Sequence, residues 1–426
     1  MPRTIVAILT SLVLALGAAP VQSLESVTAD DTARFLAGLS PSPNSPLAAL
    51  TKDPAWLSHA RYFDSIFARE ERAHLSKVRE FSKKYLTDKH DTMLYMFSGP
   101  DFLYATSFFP NASTYVLAGL EPVGAVPDLT SPSPLVINGE LRNLEISTGS
   151  LFNFSFFITQ NMKTQLRNGP VYGTLPVLYV FLARTSKTIH EVNLMSLDEH
   201  GNLHVADEAV AINNDTNKPV HSQQRTAAPG VKIVFSEGDG PNQTLYYFGT
   251  NLADGSFDRS GFSAFLAKLG PADSLIKSAS YLLHKANFAG VRKLLLNKSA
   301  TILQDDSGIP LTYFEATKWR LQPFGHYDVP ISMFANFYQP RMAELFQSAS
   351  SLDFGIGYRW RKNESNLLLA QRGSSLSGDE LTAQAQPDTS AAETVAPSQK
   401  KTRKRIERGG TRSLNCRIAR VFPFCW

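Results

Sequence analysis

Acidic side chains at the ends of apolar runs are the residues of this sequence best placed to do chemistry. Asp101 follows the turn Ser98-Gly99-Pro100, and Glu121 follows the apolar run 117–120. A carboxyl group beside buried apolar surface can have a raised pKa and act as a general acid, while a better solvated one serves as base or nucleophile. Hydrolysis of a glycosidic bond uses such a pair. The candidate catalytic residues are Asp101, Glu121, Asp305, Asp306 and His326.

The same acidic residues also have structural explanations. Asp101 is placed to cap a helix through the amides that follow Pro100. Asp305 and Asp306, which precede a Ser-Gly pair, are typical of an Asx turn. The number of such residues favours a functional site, because several acidic turns follow apolar runs in a body of nearly zero net charge. If these carboxylates act together, folding must bring them to one pocket.

Motifs with a specific mechanism are absent from the sequence. It has no Gly-x-Ser-x-Gly element, no His-Glu-x-x-His motif and no phosphate-cradling glycine-rich loop. No cofactor is therefore predicted. A metal-dependent binder that uses His326 and Asp328 is a further hypothesis. A second candidate metal cluster lies across a predicted hairpin tip and consists of Asp198, Glu199, His200 and His204. Side chains at a hairpin tip need not converge, so a structural role is favoured.

The elements that must position these residues are organised around the segment 93–124, whose apolar runs are separated by Gly and Pro. Helical periodicity dominates 55–86 and returns after residue 259, including 271–283 and 288–296. The middle third predicts strands at 176–183, 190–197, 203–206, 231–235 and 244–249, and a last strand is predicted at 354–358. The predicted fold class is α+β, with a central, mainly antiparallel sheet and helices at the N- and C-terminal ends of one globular body.

The sequence predicts five successive parts. Residues 1–23 read as a signal peptide, because Arg3 precedes an apolar stretch of about 15 residues, shorter than the roughly 20 that span a bilayer. A Pro/Ser-rich linker at 24–53, a globular body at 54–370, a disordered tail at 371–412 and a short loop at 413–426 follow. Cys416 and Cys425 are the two cysteines, and in an exported chain such a pair is expected to form a disulfide.

The net charge of +4 divides unevenly along the chain. Residues 399–426 contain nine Lys or Arg and one Glu, whereas residues 374–398 contain four acidic residues and no basic one. The basic block is typical of polyanion-binding arms, with a solvated tether as the alternative. An anionic envelope polymer or lipid surface is the expected partner, and specific nucleic-acid recognition is not expected, because the block has no interleaved aromatic residues. The predicted polyanion-binding residues are Lys400, Lys401, Arg403, Lys404, Arg405 and Arg408.

Several segments resemble an uncharacterised family of exported bacterial proteins. They are FSGPDFLYATSFFP, YVLAGLEPVG, ILQDDSGIPLTYF, PFGHYDVPI and LDFGIGYRW, together with Trp319. The resemblance covers residues 56–360. It implies that the body is one unit and that the tail lies outside it. It implies no activity, cofactor or catalytic residue.

These patterns favour an exported, envelope-associated protein with a binding or structural role and a basic C-terminal tether. The alternative is a periplasmic hydrolase, acting for example on glycan, that uses paired carboxylates. The two differ in one structural requirement, because only the hydrolase needs the carboxylates to line a common site. The oligomeric state is not indicated by the sequence.

Overall fold

The computed structural model describes residues 26–87, 90–157, 169–206 and 227–373. Its α-helices are α1 (Ala29–Leu36), α2 (Pro54–Glu70), α3 (Ser76–Tyr85), α4 (Phe102–Phe108), α5 (Pro134–Phe154), α6 (Leu175–Arg184), α7 (Asp254–Arg259), α8 (Phe262–Lys268), α9 (Ala289–Lys298) and α10 (Pro340–Leu345). Its strands are β1 (Thr92–Tyr95), β2 (Thr114–Gly119), β3 (Lys187–Leu197), β4 (Leu203–Val205), β5 (Pro229–Glu237), β6 (Gln243–Gly249), β7 (Ala272–Ile276), β8 (Ser299–Gln304), β9 (Trp319–Gly325) and β10 (Asn366–Arg372). None of the described helices is long and apolar enough to cross a bilayer.

The described strands form one sheet in the order β4-β3-β5-β6-β2-β1-β7-β8-β10-β9. The five central strands, from β6 to β8, are parallel to one another. The pairs on both flanks are antiparallel and make up five of the nine pairs, so the sheet is mixed. The predicted α+β class with one sheet is confirmed. The placement of the helices at the two ends of the body is not confirmed, because α4 to α9 lie between strands along the chain.

Alternate residues of the central strands pack into two separate apolar cores. Met93 and Tyr95 of β1 belong to one core, which also contains residues of α1 to α6. Leu94 of the same strand belongs to the other core, with residues of α7, α8 and α9. Strands buried on both faces carry continuous apolar runs rather than an alternating pattern. The sheet is therefore covered by helices on both sides where its strands are parallel.

Three predicted elements are wrong, and two of them fail for one physical reason. Residues 176–183 lie in α6 instead of a strand, and all of 175–183 are buried, so this helix has no polar face to reveal its period. Conversely, β7 begins the segment 271–283 that was predicted as a helix, and its five residues are all buried. An element that is buried on every side shows no polar face, so its residue pattern does not distinguish a strand from a helix. The last strand is β10, and 354–358 is not a strand.

The described part of the predicted linker packs into the body. Phe35 and Leu36 of α1 are buried in the core that covers one face of the sheet. The Phe35 ring lies 5.7 Å from the Trp56 ring, and Trp56 Nε1 donates a 3.1 Å hydrogen bond to the Phe35 carbonyl. The composition of 24–53 is that of a linker, but the apolar face of α1 requires burial. The body thus begins at α1 rather than at residue 54.

Candidate functional site

Charged residues collect at the carboxyl ends of the parallel strands. Because parallel strands point the same way, the segments that follow them meet at one edge of the sheet, where open α/β sheets bind their ligands. The buried charged residues that follow β1, β2, β7 and β8 are Asp101, Glu121, Lys277, Asp305 and Asp306. Four of the five predicted catalytic residues therefore lie along this edge.

Asp101 and Lys277 form an ion pair inside the protein. Lys277 Nζ lies 2.7 Å from Asp101 Oδ2, and both side chains are at most 2 % exposed. The hydroxyl of Tyr95 donates to the same Asp101 oxygen at 2.9 Å. The other oxygen accepts the backbone N–H of Tyr104 at 3.1 Å and so caps α4, as the sequence predicted. The carboxylate is held by three donors, which fixes its orientation.

The lysine ammonium has contacts on several sides. Its Nζ donates to the Ser155 carbonyl at 2.6 Å and lies 3.6 Å from the centre of the Tyr104 ring. Burial lowers the pKa of Lys277, while Asp101, Glu70 and Asp305 oppose that shift. An amine in such surroundings changes its protonation state more readily than one on the surface. Lys277 is therefore a candidate for proton transfer as well as for charge recognition.

Glu70 is a further buried carboxylate that reaches this cluster from α2. Its Oε1 accepts the Tyr104 hydroxyl at 2.9 Å, and its Oε2 lies 3.2 Å from His74 Nδ1. Between α2 and α3 the helix widens into a π-turn, Glu71–Leu75. π-turns of this kind are frequent at functional sites. Through Tyr104 and Glu70, the buried cluster is connected to His74, whose side chain is 20 % exposed.

Asp305 is held by the loop that follows Lys277. Its Oδ2 accepts the Ser278 N–H at 2.8 Å, and its Oδ1 accepts the Ser307 N–H at 3.0 Å, which is the predicted Asx turn. Burial, followed by repulsion from Asp306, raises the pKa of Asp305 to about 7. Since Lys277 contacts Asp101 while Ser278 contacts Asp305, consecutive residues join the two carboxylates.

Asp306 faces a different set of partners. It accepts the hydroxyl of Tyr281, and its backbone N–H donates to Asn366 Oδ1 at 2.9 Å. Burial raises the pKa of Asp306, while Tyr281 and then Arg359 lower it. The two neighbouring aspartates therefore have different environments, which is the arrangement expected when one carboxyl group is protonated and the other ionised.

The backbone around Lys277 is strained. Ser278, Ser280 and Tyr281 have φ of 53°, 51° and 52°, and Ser155, which accepts from Lys277, has φ of 61°. Non-glycine residues adopt such angles at a cost of order 1–3 kcal/mol each, and they concentrate at active sites and ligand clamps. The Ser278 hydroxyl is buried and has no hydrogen-bond partner in the described part of the chain. The loop 278–281 is thus shaped by its surroundings rather than by local preference.

Glu121 lies over the turn that follows β1. A methyl group at Gly119 would lie 2.3 Å from Glu121 Oε2, and one at Gly99 would lie 3.5 Å from the same oxygen. Tyr247 donates its hydroxyl to the Glu121 carbonyl at 2.9 Å. Glu121 is 3 % exposed. Gly119 leaves the space in which this carboxylate reaches the turn leading to Asp101, whereas the 3.5 Å distance at Gly99 is an ordinary van der Waals contact.

His326 does not join the cluster. Its Nε2 lies 2.6 Å from Asp328 Oδ2, and both side chains are more than 60 % exposed. At the hairpin tip, Asp198 binds the N–H groups of His200 and Asn202 and lies 3.1 Å from His204 Nε2, as expected for a structural turn. Among the described residues, no group of three or more His, Cys, Asp or Glu is arranged to hold a metal ion.

Sequence reasoning missed Lys277 and Glu70. Lys277 follows β7, whose five residues, Ala-Asp-Ser-Leu-Ile, are all buried but do not form an apolar run. Its position at the end of a strand is therefore not visible in the sequence. Glu70 lies in the charged run 69–72, but it follows Phe67 by three residues and Phe63 by seven, so helical spacing places it on the buried face of α2. That spacing is the signal that could have found it.

Some predictions fall outside the described residues. These are the signal peptide, the basic block with Lys400 and Arg408, and the Cys416–Cys425 pair. In comparisons with known proteins, no family model matches the chain, and neither a curated protein nor a solved structure matches it.

Proposed function

We propose that the carboxyl edge of the central strands binds a nucleoside ligand with a cationic side group, of the S-adenosylmethionine type. The first support is the position of the site in the topology. From β1 the chain proceeds to β2 and β6 on one side, and then returns to β7 and β8 on the other side. Ligands of doubly wound sheets bind where the strand order reverses in this way. Asp101 and Lys277 follow β1 and β7, the two strands that flank this point.

Glu121 supports the nucleoside part of the ligand. In nucleotide-binding sheets, an acidic residue about 20 positions after the first βα turn binds the ribose hydroxyls. Glu121 lies just after β2, 20 residues beyond Asp101, and its carboxylate lies against the turn that contains Gly99. A ribose placed over Gly99 would meet this carboxylate.

Asp101 argues against a phosphate and in favour of a cation. The dinucleotide fingerprint has three glycines, whose backbone approaches the pyrophosphate. Here the turn has one glycine followed by Pro100 and the buried carboxylate of Asp101. Lys277 balances one of the four carboxyl groups at this edge, so the cluster keeps a net negative charge, which repels a phosphate and attracts an ammonium or sulfonium group. S-adenosylmethionine joins both cations to a nucleoside.

The topology agrees with this ligand. Without β3, β4 and β5, the sheet order is β6-β2-β1-β7-β8-β10-β9. If these seven strands are renumbered along the chain, the order is 3-2-1-4-5-7-6, and the seventh strand, β10, is antiparallel to its two neighbours. S-adenosylmethionine-dependent methyltransferases have this order, so methyl transfer is the reaction class that the proposal implies. A shared topology does not assign a function by itself. The observation that carries the proposal is the buried Asp101–Lys277 pair at the reversal point.

The test is calorimetric titration of the purified protein with S-adenosylmethionine, S-adenosylhomocysteine, NAD and ATP. We expect binding of the first two and not of the phosphate-containing ligands. Glu121→Gln should weaken that binding about tenfold or more, because a hydrogen bond to a charged group contributes about 1.5–3 kcal/mol. Glu191→Gln is the matched control, since Glu191 is exposed and distant on β3. Absence of binding by the folded wild-type protein would overturn the proposal.

Hydrolysis of a glycoside by a pair of carboxyl groups is a second candidate function. It is favoured by one observation, the contrast between Asp305, whose pKa is raised to about 7, and Asp101, which is paired with Lys277. A general acid and an ionised partner are the two groups that glycoside hydrolysis needs. If the wild-type protein releases sugar from a glycan panel, Asp305→Asn should abolish the release. Full hydrolysis by a folded Asp305→Asn variant would exclude this mechanism.

We also infer, from the sequence, that the body is exported and attached to an anionic surface by the basic block. Deletion of 400–426 should reduce retention on anionic vesicles in a salt-dependent manner, because screening weakens the attraction of exposed charges. Replacement of the same segment by a neutral segment of equal length is the control for length. Unchanged retention of the deleted protein would count against the tether.

A further inference from the structure

Six aromatic side chains form a continuous strip beside the loop that follows β7. The centres of successive rings lie 4.9 to 6.3 Å apart, which is the range in which aromatic pairs attract each other. The rings come from three separate parts of the chain, 154–156, 334–337 and 358–360, so only the fold brings them together. In order along this aromatic strip they are Trp360, Phe154, Phe156, Tyr358, Phe334 and Phe337.

The aromatic strip is attached to the segment that carries Lys277. Two of its rings flank Ser155, whose carbonyl accepts the Lys277 ammonium at 2.6 Å. Tyr358 donates its hydroxyl to the Ser278 carbonyl at 3.2 Å. The strip therefore lies next to the candidate functional site, on the side of the strand that follows the reversal point.

The rings of the aromatic strip are not part of the apolar cores. None of the six belongs to the apolar clusters that the described residues form. Five of them are half-buried, and Phe334 is buried. Single exposed apolar residues need no explanation, but contiguous apolar surface marks ligand-binding grooves. The strip thus offers aromatic surface that the protein itself does not cover.

One buried nitrogen at the end of the strip has no hydrogen-bond partner in the described part of the chain. It is Nε2 of His284, whose ring centre lies 5.2 Å from that of Phe337 and 5.1 Å from that of Tyr281. Burial, followed by the charge of Arg292, lowers the pKa of His284 to about 4, so the ring is neutral at neutral pH. Burial of a polar atom without a hydrogen bond is unfavourable, so a ligand that supplies the missing bond is favoured.

We propose that the aromatic strip binds a planar aromatic molecule with a hydroxyl group, that is, a phenol. The rings of the strip match a planar aromatic body. A hydroxyl both donates and accepts, so it satisfies Nε2 of His284 in either tautomer of the neutral ring. A flexible aliphatic alcohol would lose more conformational freedom on binding than a rigid ring does. An anionic ring is disfavoured, because the neighbouring carboxyl groups outnumber Lys277.

The position of the aromatic strip gives this phenol a role. It lies beside the site proposed for the nucleoside ligand, so the phenol is the second substrate there, and in that respect the inference rests on the proposed function. Binding of the phenol by the strip requires no reaction. The two proposals can therefore be tested separately.

The experiment is fluorescence titration of the purified protein with 2-naphthol and 2-methylnaphthalene, which have the same shape and differ in the hydroxyl group. We expect 2-naphthol to bind about threefold to tenfold more tightly, because it alone forms the hydrogen bond with His284. A merely apolar surface would prefer the methyl compound. The flexible alcohol 1-decanol, with as many carbon atoms as 2-naphthol, should not displace it. Absence of 2-naphthol binding by the folded protein would overturn the proposal, and equal or reversed affinities would contradict the phenol assignment.

Three variants connect the binding to the strip. His284→Phe keeps a ring but removes the nitrogen, so it should weaken 2-naphthol binding by the same factor and leave 2-methylnaphthalene binding unchanged, which also shows that the variant is folded. Phe156→Leu should weaken the binding of both ligands about threefold or more, because it removes a ring from the strip. Tyr246→Leu is the matched control, since Tyr246 is a half-buried ring on β6 that packs against one of the apolar cores. Unchanged binding of both ligands by Phe156→Leu would overturn the assignment to the strip.

The result for the aromatic strip is distinguishable from the result for the nucleoside site. If the protein binds S-adenosylmethionine but not 2-naphthol, the inference about the strip is wrong and the proposed function stands. If it binds 2-naphthol but not S-adenosylmethionine, the strip is a phenol site and the proposed function is overturned, together with the role of the phenol as its second substrate.

Discussion

At the scale of single residues, the two explanations of each carboxylate are not alternatives. Asp101 caps α4 with one oxygen and pairs with Lys277 through the other. Asp305 forms an Asx turn with Ser307 and also holds Ser278. A carboxylate has two oxygens and about four acceptor positions, so a structural bond on one side leaves the other side for a second partner. The sequence identified the residue types, and their partners came from distant parts of the chain.

The buried ion pair gives the first prediction. Lys277→Met should destabilise the protein by about 3–5 kcal/mol, because it leaves the Asp101 carboxylate buried without its charge partner. The double variant Asp101→Asn/Lys277→Met should be more stable than Lys277→Met, since no uncompensated charge remains. Urea denaturation measures both. Lys318→Met is the surface control, because the Glu315–Lys318 pair is more than half exposed and should contribute little. A Lys277→Met variant as stable as wild type would show that the pair is not desolvated.

Asp305 gives a prediction about pH. Its folded pKa of about 7 exceeds the ordinary value of 3.8, so the folded state retains a proton that the unfolded chain has lost. The contribution of Asp305 to stability is therefore fully present below about pH 4 and is lost as the pH rises to about 7. Asp305→Asn cannot ionise, so its free energy of unfolding should fall less than that of the wild type across this range. Parallel curves for the two proteins, measured by urea denaturation at each pH, would contradict the raised pKa.

At the scale of elements, the site is built where the chain departs from regular structure. The loop 278–281 after β7, the π-turn between α2 and α3, and the left-handed Ser155 at the end of α5 all contact the Lys277 cluster. Each of these features costs free energy locally and is maintained by buried side chains around it. Such conflicts between local preference and the fold are expected at functional sites.

Gly357 tests how closely these elements fit. Its φ is +58°, and a methyl group there would lie 2.2 Å from Asp305 Oδ2. Gly357→Ala should therefore destabilise the protein by more than the roughly 1–2 kcal/mol that a left-handed residue costs. Gly238→Ala is the matched control, since Gly238 has φ of +54° with nothing within 4 Å of the added methyl group. Equal destabilisation of the two variants in thermal unfolding would mean that Gly357 is not tightly packed against Asp305.

At the scale of the whole molecule, the parallel strands divide the apolar residues into two cores, and the N-terminal segment closes one of them. Helix α1 packs there with α2 and α6, although it precedes the predicted body by about 20 residues. Its buried residues Phe35 and Leu36 are part of that core. The globular unit is therefore larger than composition indicated.

Phe35→Ala measures the contribution of this N-terminal helix. Phe35 is 1 % exposed, so its truncation should destabilise the whole body by about 3–5 kcal/mol. Leu57→Ala is the control of similar chemistry, because Leu57 is 42 % exposed and should change stability by about 0.5 kcal/mol or less. The measurement is urea denaturation followed by tryptophan fluorescence. An unchanged midpoint for Phe35→Ala would restore the linker interpretation of 24–53.

The sequence by itself determined the α+β class, most strands of the middle third, the long N-terminal helical segment and the acidic turns at the ends of apolar runs. These depend on local properties, namely periodicity, turn residues and capping groups. Only the tertiary structure decided that the central strands are parallel, that α6 is a helix and β7 a strand, and that Lys277 and Glu70 join Asp101. Strands and helices that are buried on all sides lose their periodic pattern, and the partner of a buried charge depends on long-range pairing that no local window contains.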